Sequence, residues 1–363
     1  LAVAAAVAVY WSFAAPERAF VITLSVLVVT CPCALALATP AAFAAAGSRM
    51  SQLRLLVTNG NAIEALSRAT LVLFDKTGTL TRGVPEITAV VVLDDQYSEY
   101  DCRLVAAALE TASSHPLARA FALDATLPRV ADHEVDVGRG VRGTIRGRSW
   151  RLGNADFAGG GIACDDTTAT HVFLSADGTA VAWFEIDDEL RPDAVETIGT
   201  LQQQGIGTAL VSGDRKAPVA KVAGDLGITD FHFGCTPERK LEIIEAAQQR
   251  GEHVVMVGDS INDAPVLAGA DTSIAPAHGA LLAQTSADII MLGHSLGPVT
   301  TALRMAGRTM RIVRQNLTWA IVYNALALPL AAAGFVPPWA AAVGMSASSL
   351  IVVMNALRLS RFE

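Results

Sequence analysis

The chain has 363 residues, of which 52% are hydrophobic and 17% charged, with a mean hydropathy of +0.41 and a net charge of −8. Two charge-poor ends around an acidic middle are the profile of a membrane protein with an acidic cytosolic insert, and they argue against a nucleic-acid binder. The five cysteines (Cys31, Cys33, Cys102, Cys164, Cys235) include one close pair, set in an apolar run, so no disulfide framework is expected and a reducing compartment fits the soluble part.

The first residues carry neither an initiator methionine nor a charged leader, which reads as the C-terminal portion of a longer protein. Residues 1 to about 15 form an apolar stretch slightly short for a membrane span, and Ala15-Pro16-Glu17-Arg18 reads as a tight polar turn. Ala19 to Ala46 contains no charge and is ample for a second span; Arg49 and Arg54 after it put that end in the cytoplasm. Within this span lies Thr30-Cys31-Pro32-Cys33. Proline removes a backbone donor and bends the helix, and thiols on both sides of the bend suit a soft ion such as Cu(I).

Residues 49–70 read as an amphipathic stalk. Leu71-Val72-Leu73-Phe74 is then a buried parallel strand that ends abruptly in Asp75-Lys76-Thr77-Gly78-Thr79-Leu80-Thr81. Ligands of open α/β sheets sit at the carboxyl ends of strands, so Asp75 is placed to act as a nucleophile and form an aspartyl-phosphate. Two further apolar strands end in polar groups. Ala209-Leu210-Val211 leads into Ser212-Gly213-Asp214, and Val254-Val255-Met256-Val257 into Gly258-Asp259-Ser260-Ile261-Asn262-Asp263. Lys240 opens a helix after Pro237, where it can neutralise charge on a transferring phosphoryl group. Mg²⁺ prefers carboxylate oxygen, which points to Asp75 and Asp259, with Asp263 orienting the loop or a metal-bound water. From about Val84 the pattern changes to short alternating strands and glycine-rich turns. No GxxxxGK[ST] phosphate loop occurs anywhere.

DKTGTLT resembles the phosphorylation signature of the P-type ion-pumping ATPases of the haloacid-dehalogenase superfamily. The resemblance implies a multidomain membrane protein: transmembrane α-helices plus an α/β Rossmann-like haloacid-dehalogenase phosphorylation domain with an inserted α/β nucleotide-binding domain. Its expected divisions are 1–48 (two transmembrane helices), 49–70 (stalk), 71–83 with 186–297 (phosphorylation), 84–185 (nucleotide binding), 298–314 (basic cytoplasmic segment), 315–357 (two further spans) and 358–363 (tail). Catalytic roles are implied for Asp75, Lys76, Thr77, Ser212, Gly213, Asp214 and Lys240, and adenine binding for Glu110, His115, Gly138, Gly140 and Asn154. Ser212 stands where the family usually has Thr, which keeps the hydroxyl. Ser260 stands where it usually has Gly, which threatens to crowd the loop.

Cys-Pro-Cys resembles the heavy-metal-transporting subclass. Tyr323-Asn324 in the third span and Met345, Ser348 and Ser349 in the fourth resemble its copper(I) subgroup. Met345, Ser348 and Ser349 fall at i, i+3 and i+4, on one helix face. Neither span holds a charged residue, where a zinc or cadmium pump would be expected to carry Lys and Asp. The implied activity is ATP-driven Cu(I) export, with ATP and Mg²⁺ as cofactors, a cytosolic copper chaperone and membrane lipid as partners, and the bacterial inner membrane as location with the catalytic domains cytoplasmic. A membrane-tethered phosphatase of the same superfamily is the alternative of another class. No Thr-Gly-Glu occurs in the sequence, so the actuator domain of the family is expected to lie outside it.

Overall fold

The computed structural model describes residues 2–113, 116–136, 138–161, 170–260 and 263–361, apart from the Pro116 side chain. It divides into two compact units. One comprises Leu1–Ala69, Asp288–Leu292 and Pro298–Glu363; the other comprises Thr70–Ala287 and Gly293–Gly297.

The first unit is mainly helical: Ala2–Ala14, Pro16–Val29, Cys33–Gln52, Gly297–Ala332 and Pro338–Leu357. Among the described residues, two segments are long and apolar enough to cross a membrane, Pro16–Gln52 and Pro338–Arg361. The expected third span lies in the C-terminal half of the 36-residue helix Gly297–Ala332, continuous with the basic stretch bearing Arg304 to Arg314. The expected turn at 15–18 reduces to Ala15, because Pro16 starts the next helix at its first turn, where proline's missing N–H costs nothing. The expected single second span is interrupted over Thr30-Cys31-Pro32, since proline cannot continue the hydrogen-bond ladder. Ala34, Ala38, Ala42 and Ala46 recur every fourth residue after the break, and all are buried. Such a small-residue ridge lets helices approach closely, and Ala34 and Ala38 pack with Ala320 and Val352 of the two C-terminal helices. The expected stalk is not one helix. It holds strand Leu55–Val57, paired antiparallel with Ile289–Met291, and the short helix Ala62–Leu66.

In the second unit, strands Thr272–Pro276, Val254–Val257, Leu71–Asp75, Gly207–Val211 and Asp230–His232 lie side by side in that order, all parallel. Leu71–Asp75 is central and its aliphatic residues are buried on both faces, as a parallel strand covered by helices requires. A six-stranded antiparallel sheet follows, led by Thr81–Val92 paired with Thr179–Leu190. The expected divisions at 83/84 and 185/186 fall inside this strand pair. Its own core includes Leu109, Phe121, Trp150, Leu152 and Phe184.

Candidate functional site

Strand register explains why distant residues meet. Asp75 is paired with Val211 and Phe74 with Val257, so Ser212 and Gly258-Asp259 leave the sheet at the same level as Asp75. Lys240 arrives from the first turn of helix Pro237–Gln249, whose Thr236 cap accepts a hydrogen bond from the Arg239 N–H at 3.3 Å. Lys240 Nζ donates to Asp75 Oδ1 at 2.5 Å and to Asp263 Oδ1 at 2.7 Å, and all three groups are buried. Ser260 does not crowd the loop. Its hydroxyl and backbone N–H both donate to Asp263 Oδ2, at 2.7 and 3.2 Å. Asp263 thus has both oxygens engaged.

Asp75, Asp259 and Asp263 each offer an oxygen within 4.8 Å of the others. Hard carboxylate oxygens fit Mg²⁺ in type, and Asp75 and Asp259 supply the one or two carboxylates its sites commonly use, while Asp263 is already engaged by Lys240 and Ser260. Burial raises the Asp75 pKa to about 7, against the pull of Lys240 and with the push of Asp263 and Asp259. Burial and Asp263 raise Asp259 to about 6, while Arg191 opposes the shift. Burial alone would lower Lys240; Asp75 and Asp263 outweigh it and hold the ammonium above its ordinary value.

These shifts give a sign. Carboxylates with raised folded-state values stabilise the fold at low pH and lose that contribution as pH rises through those values. Metal-free protein should therefore lose stability between about pH 4 and 7. Mg²⁺ should raise the melting temperature more at pH 8 than at pH 5.5, measured by differential scanning fluorimetry. Equal Mg²⁺ shifts at both pH values would contradict this.

The loop after Asp75 is fixed from several sides. Lys76 pairs with Asp214. The Thr81 hydroxyl donates to Asp188 at 2.5 Å and accepts from the Gly78 N–H at 3.1 Å. Gly78 has φ +73°, and a β-carbon there would lie 1.9 Å from Asp259 Oδ2. Arg191 donates to the carbonyl oxygens of Gly78 and Thr79, each at 2.6 Å. Asp188 and Arg191 were not singled out from sequence; the polar run Asp187 to Arg191 was the available signal. Thr77 lies in this loop at a non-helical φ/ψ, and Gly213 joins Ser212 to Asp214, whose N–H donates to Ser212 Oγ at 3.2 Å.

Four of the expected adenine-site residues are described. Asn154 Nδ2 donates to the Gly138 carbonyl at 3.3 Å, while its Oδ1 caps a short helix by accepting from the Phe157 N–H at 3.0 Å. Gly140 pairs with Gly153, and a β-carbon on it would fall 2.1 Å from Leu152 O. Gly138, Gly140 and Asn154 therefore share one corner. Glu110 ends helix Glu99–Glu110, half-buried, with its pKa raised by burial against a Ser113 hydrogen bond. His115 lies outside the described residues.

In the helical unit, Cys31 and Cys33 are joined as a disulfide across Pro32, with Cα atoms 5.5 Å apart. Two free thiols were expected here, so this one local bridge across the proline break is a correction; it is not the disulfide framework that the sequence argued against. Cys33 Sγ lies 3.9 Å from Met345 Sδ. Tyr323 packs against Gly344, its hydroxyl 2.8 Å from where a β-carbon on Gly344 would stand. Ser348 Oγ accepts from Trp319 Nε1 at 3.1 Å, a partner the sequence did not suggest. Asn324 and Ser349 are half-buried.

The sequence profile of the haloacid dehalogenase-like hydrolases matches residues 69–271. The chain is 39% identical over 359 residues to the nitrogen fixation protein FixI of Rhizobium leguminosarum bv. viciae, covering 97% of this chain and 46% of that protein. It is 38% identical over 376 residues to a copper-exporting P-type ATPase of Mycobacterium leprae (strain TN), covering 99% and 48%. The chain thus spans about half the length of the curated relatives it matches. Among solved structures, a zinc-transporting PIB-type ATPase in its E2.Pi state superimposes with a TM-score of 0.80 at 30% identity, covering 99% of this chain and 62% of that one. The profile match, these relatives and the common fold agree: the chain belongs to the haloacid dehalogenase-like hydrolases, in their P-type ATPase branch.

Proposed function

We propose that this chain is the catalytic and ion-conducting part of a P-type ATPase that exports Cu(I) through an aspartyl-phosphate intermediate. The observation that carries the reading is the convergence of Asp75, Lys240, Asp259 and Asp263 at adjacent strand ends. Asp75 attacks the γ-phosphorus of ATP, a bond forms to its carboxylate oxygen, and ADP leaves with the electron pair of the broken bond. Lys240 offsets the charge on the transferring group, and the Ser212 hydroxyl donates to a phosphoryl oxygen. Lys76 holds Asp214 and, with Thr77 and Gly213, keeps both loops open to the phosphate. Mg²⁺ would be held by Asp75 and Asp259, with Asp263 orienting the site through Lys240 and Ser260, and would neutralise phosphate charge. Adenine binds at the Gly138, Gly140 and Asn154 corner, with Glu110 and His115. The domain divisions given above are part of the same proposal.

The juxtaposition of Cys33 and Met345 at 3.9 Å supports Cu(I) as transported substrate, because thiolate and thioether are soft ligands. A disulfide offers no thiolate, so ion binding requires the reduced pair. Tyr323, Asn324 and Ser349 complete the lining. Ser348 contributes less than expected, because Trp319 already occupies one side of its oxygen. Delivery by a cytosolic copper chaperone, and placement in a bacterial inner membrane with the catalytic unit in the cytoplasm, follow from the same reading.

Two results are expected. Gly78→Ala should lower the Mg²⁺-dependent phosphorylation rate about a hundredfold, since its β-carbon displaces Asp259 and positioning errors of an ångström carry such costs. Rapid-quench labelling with wild-type rates would contradict it. The ion is tested by labelling the full-length, reduced protein from γ-labelled ATP with Cu(I), Zn(II) or no metal. Label that needs Cu(I), and disappears in Cys31→Ser/Cys33→Ser, supports the copper reading. Label driven by Zn(II) alone overturns it.

A further inference from the structure

Arg191 is a buried cation, 3% exposed, and no carboxylate lies within ion-pair distance of it among the described residues. Its hydrogen bonds go to neutral acceptors, while Asp193, Asp259 and Asp188 act on its charge from beyond ion-pair distance. Nε donates to Thr79 O at 2.6 Å, Nη2 to Gly78 O at 2.6 Å and to His278 Nε2 at 2.8 Å, and Nη1 to His294 O. A guanidinium has five N–H donors and no acceptor, so four of the five are spent on the protein. Arg191 is therefore a clamp rather than a free phosphate ligand.

The same counting fixes His278. Because Arg191 can only donate, His278 Nε2 is assigned as the acceptor of the 2.8 Å bond, with the ring proton on Nδ1; the same Nε2 also stands 3.5 Å from the Gly78 carbonyl oxygen, a longer contact that the opposite tautomer would be needed to make. The ring lies against His294, with centroids 4.9 Å apart and planes tilted by 32°. Both histidines line a cavity of about 770 Å³ together with Gly78, Arg191 and Asp259. The clamp thus stands at the wall of the reaction cleft.

We propose that His278 is a positioning residue for phosphoryl transfer: as a neutral acceptor it holds Arg191 against the carbonyls of Gly78 and Thr79, and so fixes the loop after Asp75 against Asp259. The inference rests on the function proposed above. The physical lever is the missing clearance at Gly78, where even a β-carbon would overlap the Asp259 carboxylate. Any drift of the loop is passed directly to a group that must stay aligned with Asp75. Without the imidazole, one N–H of a buried guanidinium loses its partner, and such a donor is costly to leave unmade. Arg191 then shifts to recover a partner, and the two carbonyls move with it.

The test compares His278→Leu and His278→Gln in the full-length protein. Leu removes the acceptor, whereas Gln restores one with its amide oxygen. His278→Leu should slow single-turnover phosphorylation by about tenfold or more, since misplacement costs rate, with ATP affinity unchanged because the adenine corner is elsewhere in the fold. His278→Gln should recover most of the rate. Hydrogen exchange of residues 76–81 should accelerate in the Leu variant and return in the Gln variant. Wild-type phosphorylation in His278→Leu, or no better rate in Gln than in Leu, overturns the proposal. Should wild type take no label from ATP, the ATPase reading falls, while exchange at 76–81 still decides the clamp: unchanged protection in His278→Leu refutes it.

Discussion

Asp75→Asn takes no label from ATP, and in metal-free buffer at pH 8 it melts at a higher temperature than the wild type. The first half follows from removing the nucleophile, since an amide cannot form the acyl phosphate. The second half follows from electrostatics. Asp75 shares a buried site with Asp259 and Asp263, and the described neighbour that donates charge to it is the single ammonium of Lys240. Its pKa stands at about 7 against an ordinary 3.8, so its ionised form opposes folding above neutral pH. Asparagine keeps the shape, can still receive the Lys240 N–H through its carbonyl, and removes one of three converging negative charges. Loss of label together with higher stability would separate chemistry from misfolding. A variant that retains label contradicts the assignment of Asp75, and one that loses label by unfolding contradicts the charge argument.

Lys240→Met is expected to be the most destabilising change at the site. Methionine has nearly the length of lysine but leaves Asp75 and Asp263 buried without their cation. Breaking a buried pair on one side costs about 3–5 kcal/mol, a large part of a typical total of about 5–15 kcal/mol. Phosphorylation should fall below detection, because the charge on the transferring group is no longer offset. Mg²⁺ should restore part of the melting temperature, since it supplies positive charge to the same carboxylates, without restoring labelling. Thermal melts with and without Mg²⁺, alongside labelling, check both parts. A Lys240→Met protein as stable as wild type in metal-free buffer would contradict the account.

How much of this was legible in the sequence depends on the range of the interaction. Asp75, Ser212 and Asp259 were visible because each ends an apolar run, and strand ends in a parallel sheet converge without any further information. Lys240 was visible as a charge near a helix start, but its bridging of Asp75 and Asp263 was not, since the partners lie 165 and 23 residues away. Arg191 and His278 were opaque for the same reason. Nothing local marks an arginine that will be held by carbonyls more than a hundred residues upstream.

In the helical unit, Cys31, Cys33 and Met345 were recognised by type, and the structure brings Cys33 and Met345 together. The proline effect was underestimated: a kink was expected, and the helix breaks over Thr30-Cys31-Pro32. Ser348 was read as a ligand from the resemblance of Met345, Ser348 and Ser349 to the copper(I) subgroup, since a lone serine in a span is more often packing between helices. Its hydrogen bond from Trp319 belongs to a second helix, which periodicity along one helix cannot reveal.

The central claim is that Asp75 carries the phosphate, and it is tested most directly by locating the label. Full-length protein would be incubated with γ-labelled ATP and Mg²⁺, quenched in acid, digested, and the modified peptide identified by mass spectrometry. The account predicts hydroxylamine-sensitive label on Asp75 within the Leu71–Thr81 segment, and none in Asp75→Asn. Stable label on another residue, or no label from ATP while the protein hydrolyses small phosphate esters, would contradict it and leave a membrane-tethered phosphatase in its place.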